Sequence, residues 1–454
     1  METQKIKVLL IHPEENRSIY DFKGIIENEP LDHEYVSAVL DRNIYEIAYW
    51  DGKIEDVSCK SRIEEFKPDV AFIAGRDFQE EFLLEYADTI KEYNPEAITI
   101  LGGIHAQLCF KRLYKPSVDF VLRSFDSFKV PLIIEAVRNK DDKAIEELHD
   151  ISYQKNGEWF ENEVEAFDIK RLPRPDRSYF YEKADHYNYL EMKHAAWVRT
   201  AYCCPYRCKF CMRNKMNLGV YSARDIDDVV DEIAEIQTEN IYIVDDDFLF
   251  NEERLDRFIN LIEERQIKKK YICYGRSDFI ASHEELMKRL ADIGFYYILV
   301  GLETIREGNM EEYNKKNSIE NNIKSIEICN KYGLEMMGMF ILDLDFEKKD
   351  FKNLYKWIKE HKLKHVAVSI YTPEMGMETS DQYKDRMITD NPGHYDYMHL
   401  VCKPDVLSVS AYYRAYYTLL VKLLLKAQKD GIYDFLDYGF YVRSFIANLL
   451  GKKR

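Results

Sequence analysis

The run Cys203-Cys204-Pro-Tyr-Arg-Cys208-Lys-Phe-Cys211 places four of the chain's nine cysteines within nine residues. Counted from Cys204, the x3/x2 spacing offers three thiolates from one loop, and thiolates are the usual ligands of iron–sulfur clusters. A 4Fe–4S cube takes one ligand on each iron. Three ligands leave one iron open, as a catalytic metal leaves a position for its substrate. Zinc is the competing occupant, but a structural zinc site takes four ligands. Cys203 cannot easily share one centre with Cys204, and Cys273, Cys329 and Cys402 stand alone further along. An odd, scattered set of cysteines also argues against a disulfide framework and for a reducing, cytoplasmic setting.

The elements around this knot set where it sits. From residue 196 onward, apolar runs at Ala196–Thr200, Ile241–Asp246, Tyr271–Asp278, Tyr296–Glu303, Met336–Leu342 and His365–Tyr371 alternate with amphipathic helical segments. Six such units predict a partial (β/α)6 TIM-like barrel over 196–375. The knot follows the first strand, at the carboxyl end where barrel active sites gather. Ser222 and Asp225 read as the N-cap signature of the first helix, with Ile226, Val229, Val230, Ile233 and Ile236 along one face.

Upstream, strand-like runs Lys7–His12, Tyr45–Asp51, Asp69–Gly75, Ala97–Gly103 and Val118–Ser124 alternate with helix-length segments such as Leu31–Asn43 and Phe78–Tyr93. They predict a doubly wound, Rossmann/flavodoxin-like parallel sheet over 1–145, so the overall class is α/β. Ligands of such sheets lie beyond the carboxyl ends of the strands, where Gly75, Gly102 and Gly103 fall. Residues 146–195 read as a bridge, with Asn156-Gly157 as a hairpin turn and Leu172-Pro-Arg-Pro-Asp176 unable to form helix. Residues 376–454 read as a helical C-terminal region containing Val409–Lys429 and Tyr433–Leu450.

With 64 basic and 81 acidic residues, the net charge of −17 repels a polyphosphate and disfavours general nucleic-acid binding. The N-terminal METQKIKVLLIHPEEN lacks a signal-peptide layout, and no stretch reaches the roughly 18 apolar residues of a membrane span.

With these residues in view, the chain resembles the radical S-adenosylmethionine (SAM) superfamily. That resemblance implies Cys204, Cys208 and Cys211 as cluster ligands, with Phe210 touching the adenine. It implies that the methionyl amine and carboxylate bind the open iron, and that an electron from the cluster releases a 5′-deoxyadenosyl radical. In Asp245-Asp246-Asp247-Phe248, Asp246 and Asp247 match the motif that holds the methionyl amine, although an aspartate here also suits a helix cap. Arg276 is placed for the methionyl carboxylate, though a surface ion pair would explain it too. In Val300-Gly-Leu-Glu303-Thr304, Gly301 would admit the nucleoside and Glu303 would bond a ribose hydroxyl.

The sheet ahead of the barrel resembles the cobalamin-binding branch, through Pro68-Asp-Val-Ala-Phe-Ile-Ala-Gly75, Leu101-Gly-Gly-Ile-His-Ala106 and Leu172-Pro-Arg-Pro-Asp176. Gly102 and Gly103 would let backbone approach the corrin or its tail; a bare strand-to-helix turn would use them equally. The Asp-x-His-x-x-Gly pattern is absent, and Arg123-Ser124 stands where relatives carry Gly-Glu. Arg76 would sit beneath cobalt without coordinating it. Within this branch, methylation of an unactivated carbon in a small metabolite, natural product or lipid is implied, with flavodoxin or ferredoxin as reductant. Ile370-Tyr-Thr-Pro-Glu-Met-Gly376 resembles a turn closing the barrel mouth, and Tyr395–Pro404 resembles the stretch before the C-terminal helices of relatives acting on hopanoids and other lipids. The alternatives are a cobalamin-independent radical rearrangement, cyclisation or C–C coupling, and a non-catalytic cobalamin or metal sensor. Methylthiotransfer fits poorly, because the N-terminal part has only Cys59 and Cys109.

Overall fold

The computed structural model describes residues 5–15 and 25–449. The first residues of the N-terminal reading, Leu450 and the Gly451-Lys-Lys-Arg454 tail lie outside the described residues. The first sheet contains β1 (Ile6–His12), β2 (Tyr45–Asp51), β3 (Val70–Ala74), β4 (Ile98–Gly102), β5 (Phe120–Leu122), β6 (Ile151–Lys155) and β7 (Glu158–Glu161). Its order is β2-β1-β3-β4-β5-β6-β7, parallel through β5 and antiparallel beyond. The five expected strands form the doubly wound part. The Asn156-Gly157 turn closes the β6–β7 hairpin, which extends this sheet to Glu161.

Period-two alternation explains the layering. In β1, Val8 and Leu10 join the core on one face, while Leu9 and Ile11 join the core on the other. All four are fully buried, and each such side chain contributes about 1.5–3 kcal/mol. Strand order reverses between β1 and β3, so a crevice opens past His12 and Gly75, as expected at a topological switch point.

The second sheet is β8 (Ala196–Val198), β9 (Asn240–Ile243), β10 (Lys270–Gly275), β11 (Phe295–Glu303), β12 (Glu335–Leu342) and β13 (His365–Ile370). All pairings are parallel and in chain order, the wall of a six-unit barrel. Ile241, Ile243 and Cys273 pack outward among the surrounding helices, whereas Tyr242, Ile272, Tyr297 and Met337 form a separate apolar cluster. The first barrel helix runs Ile226–Glu235. Asp225 occupies its N-cap position but makes no capping bond there; its carboxylate meets Lys170 at 3.1 Å. Ser222 belongs to a short strand, and Ile236 terminates the helix, so the sequence signature marks the start better than the means of capping. Two long helices, α1 (Val409–Lys429) and α2 (Tyr438–Leu449), form the C-terminal region.

A buried charge network docks the two sheets. Arg177 donates to Glu29 (2.9 Å) and to Glu232 (2.8 Å), and Arg224 meets Glu232 at 2.6 Å. Glu29 also accepts from the Trp197 backbone N–H. Desolvated charges of this kind need complete pairing, so the network fixes the relative position of the sheets. Among the described residues no helix is long and apolar enough to cross a membrane.

Candidate active site between two sheet edges

The cysteine loop leaves β8 and is held by side chains that satisfy its backbone. Asp245, just past β9, accepts from Thr200 N (2.7 Å), Ala201 N (2.9 Å) and the Thr200 hydroxyl. Asn214 donates to the Cys208 carbonyl (2.8 Å), Asn314 to the Arg207 carbonyl (2.8 Å), and Lys209 N to the Tyr313 carbonyl (3.0 Å). Cys208 is buried, and Cys204 and Cys211 are half-buried. Burial pushes the thiols of Cys204 and Cys211 up to about 12, so a bound cation is what would draw them into the thiolate form. Cys203 is buried with φ 68°, and its Sγ lies against the Cys204 carbonyl. Among the described residues no three His, Cys, Asp or Glu side chains converge as a single-ion site. Cluster thiolates bind different irons, so they do not need to converge on one point. The Phe210 ring packs edge-on to Tyr313 at 5.2 Å.

The three aspartates after β9 divide their tasks. Asp245 braces the loop. Asp246 meets Arg213 Nε at 3.4 Å. Both carboxylate oxygens of Asp247 are buried and lack a hydrogen-bond partner. Burial drives this carboxyl well above the usual range, opposed by Arg276 and Lys315. Helix capping does not explain these residues: the helix Glu252–Glu264 is capped by Asn251, which accepts from Arg254 N at 2.9 Å. An ammonium group is the partner that a buried, orphaned carboxylate calls for.

Arg276 is buried, so the surface-pair explanation does not hold. Its guanidinium grips Asp278 in two bonds of 2.9 Å, donates to the Lys315 carbonyl (2.7 Å) and covers the Tyr206 ring at 3.8 Å. Glu303 has φ 61°, where the register of β11 with β12 slips, and it pairs with Lys315 at 2.7 Å. A Cβ at Gly301 would collide with that Glu303 carboxylate and lie 2.9 Å from Lys315 Nζ. The glycine therefore makes room for an ion pair. Lys315 and Arg213 were not singled out from sequence, and nothing in their local pattern distinguishes them from surface cations.

Across the crevice, His12, Gly75, Arg76 and Gln79 of the first sheet face Trp197, Arg199, Arg213, Tyr242, Val244 and Tyr274 of the barrel. The space between them is about 180 Å³. Arg76 Nε is buried without a partner, a donor left for a ligand. Gly103 has φ 88°, and a Cβ there would sit 2.5 Å from the Gly75 carbonyl; at Gly102 it would meet the Phe72 ring at 2.8 Å. Both glycines thus serve close packing between β3 and β4. Glu374, in the turn after β13, accepts from the Tyr397 hydroxyl, while its other oxygen is buried and unpartnered. Burial, with Asp77 nearby, raises the Glu374 carboxyl to about 8.

Residues 198–358 match the Radical SAM superfamily model, so this segment is a radical SAM domain. The chain is 23% identical over 406 residues to the hopanoid C-3 methylase of Methylococcus capsulatus, covering 87% of this chain and 76% of that one. It is 23% identical over 421 residues to the anaerobic magnesium-protoporphyrin IX monomethyl ester cyclase of Rubrivivax gelatinosus, covering 88% and 74%. The cobalamin-dependent SAM radical enzyme OxsB shares the fold over 99% of this chain and 74% of its own, with TM-score 0.72 and 15% identity. The radical SAM methyltransferase TsrM from Kitasatospora setae shares it over 93% and 91%, with TM-score 0.69 and 14% identity.

Proposed function

We propose that this protein is a cobalamin-dependent radical SAM enzyme that methylates, or otherwise forms a bond at, an unactivated carbon of a small metabolite, natural product or lipid. The observation that carries this reading is the crevice: the carboxyl edge of one parallel sheet, with Gly75 and Arg76, meets the mouth of another that bears the three-cysteine loop and the orphaned Asp247. The OxsB and TsrM structures hold cobalamin in the fold shared with this chain, and the relative from M. capsulatus is a methylase.

Bound here, the cluster, SAM and cobalamin would together supply a 5′-deoxyadenosyl radical and a transferable methyl group. Cys204, Cys208 and Cys211 would hold three irons. Asp247 would take the methionyl ammonium, with Asp246 beside it. Arg276 would face the methionyl carboxylate, Phe210 the adenine, and Glu303 a ribose hydroxyl. Gly75 and Arg76 would border the corrin, with Gly102 and Gly103 supporting the turn behind them. Trp197, Tyr242, Val244 and Tyr274 form aromatic and apolar walls that keep water from a reactive carbon centre. Flavodoxin or ferredoxin in the cytoplasm is the matching reductant.

The test is anaerobic reconstitution with iron, sulfide and hydroxocobalamin, followed by absorption spectroscopy and product analysis. The reading requires about four irons and four sulfides per chain, a retained cobalamin band, and both 5′-deoxyadenosine and S-adenosylhomocysteine from SAM. The cyclase relative favours one other outcome: 5′-deoxyadenosine alone would assign a radical cyclisation or rearrangement. Zinc in place of iron would refute both.

A further inference from the structure

A cavity of about 400 Å³ runs along the edge strand β13, between the barrel and the two C-terminal helices. Ala367 and Val368 of the strand line it with Leu420, Leu423 and Leu424 of α1 and Tyr441 of α2. One end lies at Ser369 and Tyr397, toward the carboxyl end of the strand. There the Tyr397 hydroxyl donates to Glu374, whose carboxyl lies within the fields of Arg76 and Arg213 in the crevice. The Tyr397–Glu374 pair thus stands between the cavity and the crevice arginines.

Its walls are chiefly apolar, with Ser369, Asp396, Tyr397, Tyr416 and Tyr433 as polar interruptions. Tyr416 lines the cavity and is 0% exposed, yet its hydroxyl has no hydrogen-bond partner. Burial keeps that hydroxyl protonated, so it can donate to a ligand. The cations at the rim are already engaged: Lys364 meets Glu335 at 2.6 Å, and Lys426 donates to the Leu363 carbonyl (2.7 Å) and Asp430 (2.6 Å). An anionic head group would enter this space without a free cation to meet it, and beside Asp396.

Building on the reading above, we infer that this cavity holds the apolar body of the substrate, an uncharged aliphatic or alicyclic molecule bearing an oxygen that accepts from Tyr416. An apolar wall with a few placed polar groups is the usual construction of a site that binds by burial and orients by hydrogen bonds.

The test is anaerobic calorimetric titration of the full chain with dodecanol, dodecane and dodecanoate. Dodecanol is expected to bind, dodecane about tenfold more weakly, and dodecanoate more weakly still. Tyr416→Phe should lower dodecanol affinity to that of dodecane and leave dodecane unchanged. Ala367→Phe, which fills the space, should abolish both, with circular dichroism confirming the fold of each variant. No dodecanol binding by the unaltered chain, an unchanged dodecanol affinity in Tyr416→Phe, or a preference for dodecanoate would each overturn the inference. SAM cleavage by the reduced, cluster-loaded chain is measured separately. Its absence would refute the proposed function while the titration still reports on the cavity; intact cleavage with no dodecanol binding would refute the cavity's role alone.

Discussion

The two edges that meet at the crevice are built on different principles. The barrel mouth is dense with polar bracing: Asp245 ties down the cysteine loop, Arg276 clasps Asp278, and Lys315 clasps Glu303. The first sheet's edge is shaped by steric fit, with Gly103 packed on the Gly75 carbonyl and one buried, unpartnered Arg76 nitrogen. Chelation needs specific atoms at fixed spacings, so it leaves a motif. Holding a large planar ligand needs a surface, and a surface can be made from many sequences.

Cysteine replacement should separate the two edges most sharply. Replacing Cys204, Cys208 or Cys211 by Ala should abolish SAM cleavage and cluster absorption while leaving cobalamin retention intact. Cys203→Ala should keep most of both activities. If Cys203 proves essential and Cys204 dispensable, the ligand register at the barrel mouth is misassigned.

Asp247→Asn keeps the shape and removes the charge, and it should weaken SAM binding about tenfold to hundredfold without loss of iron. Equal affinity in an equilibrium titration would remove Asp247 from the amine site. At the other edge, Gly103→Ala should destabilise the chain by about 1–3 kcal/mol in denaturant unfolding, through its positive φ and the blocked approach to Gly75. A neutral result would mean that the β3–β4 contact yields more easily than its geometry indicates.

Glu374 offers a pH-dependent test at the junction. Its carboxyl is raised from the ordinary 4.5 to about 8, so the folded state holds this proton more tightly than the unfolded chain. Its contribution to stability is complete below about pH 4.5 and fades as pH rises through 8. Glu374→Gln should flatten that part of the stability profile of the cofactor-free chain. An unaltered slope would place the titration elsewhere. Asn251→Ala should have the smallest effect, about 1 kcal/mol, through loss of one helix cap. A larger loss, with weaker SAM binding, would show that this cap also positions Asp247.

Much of the scaffold was legible beforehand. The five parallel strands of the first sheet and all six barrel strands follow from apolar runs spaced by helix-length polar segments, and their ends shift by only a few residues. The hairpin Ile151–Glu161 was legible as a turn, but its attachment to the first sheet depends on an edge that no local pattern describes. Asp225 shows the same limit. Its type and position suit a cap, but Lys170, far away in sequence, takes the carboxylate.

What the chain determined by itself was local: the cysteine spacing, the strand and helix periods, and the aspartate triplet after the second barrel strand. Those features depend on neighbours along the backbone, where distance is set by bond geometry. Tertiary structure decided which aspartate braces a loop and which is left unpaired, why Gly301 must lack a side chain, and that Lys315, Arg213 and Glu374 belong to the site. Each depends on groups brought together only by folding, where burial makes an unmatched charge or hydroxyl costly and therefore informative.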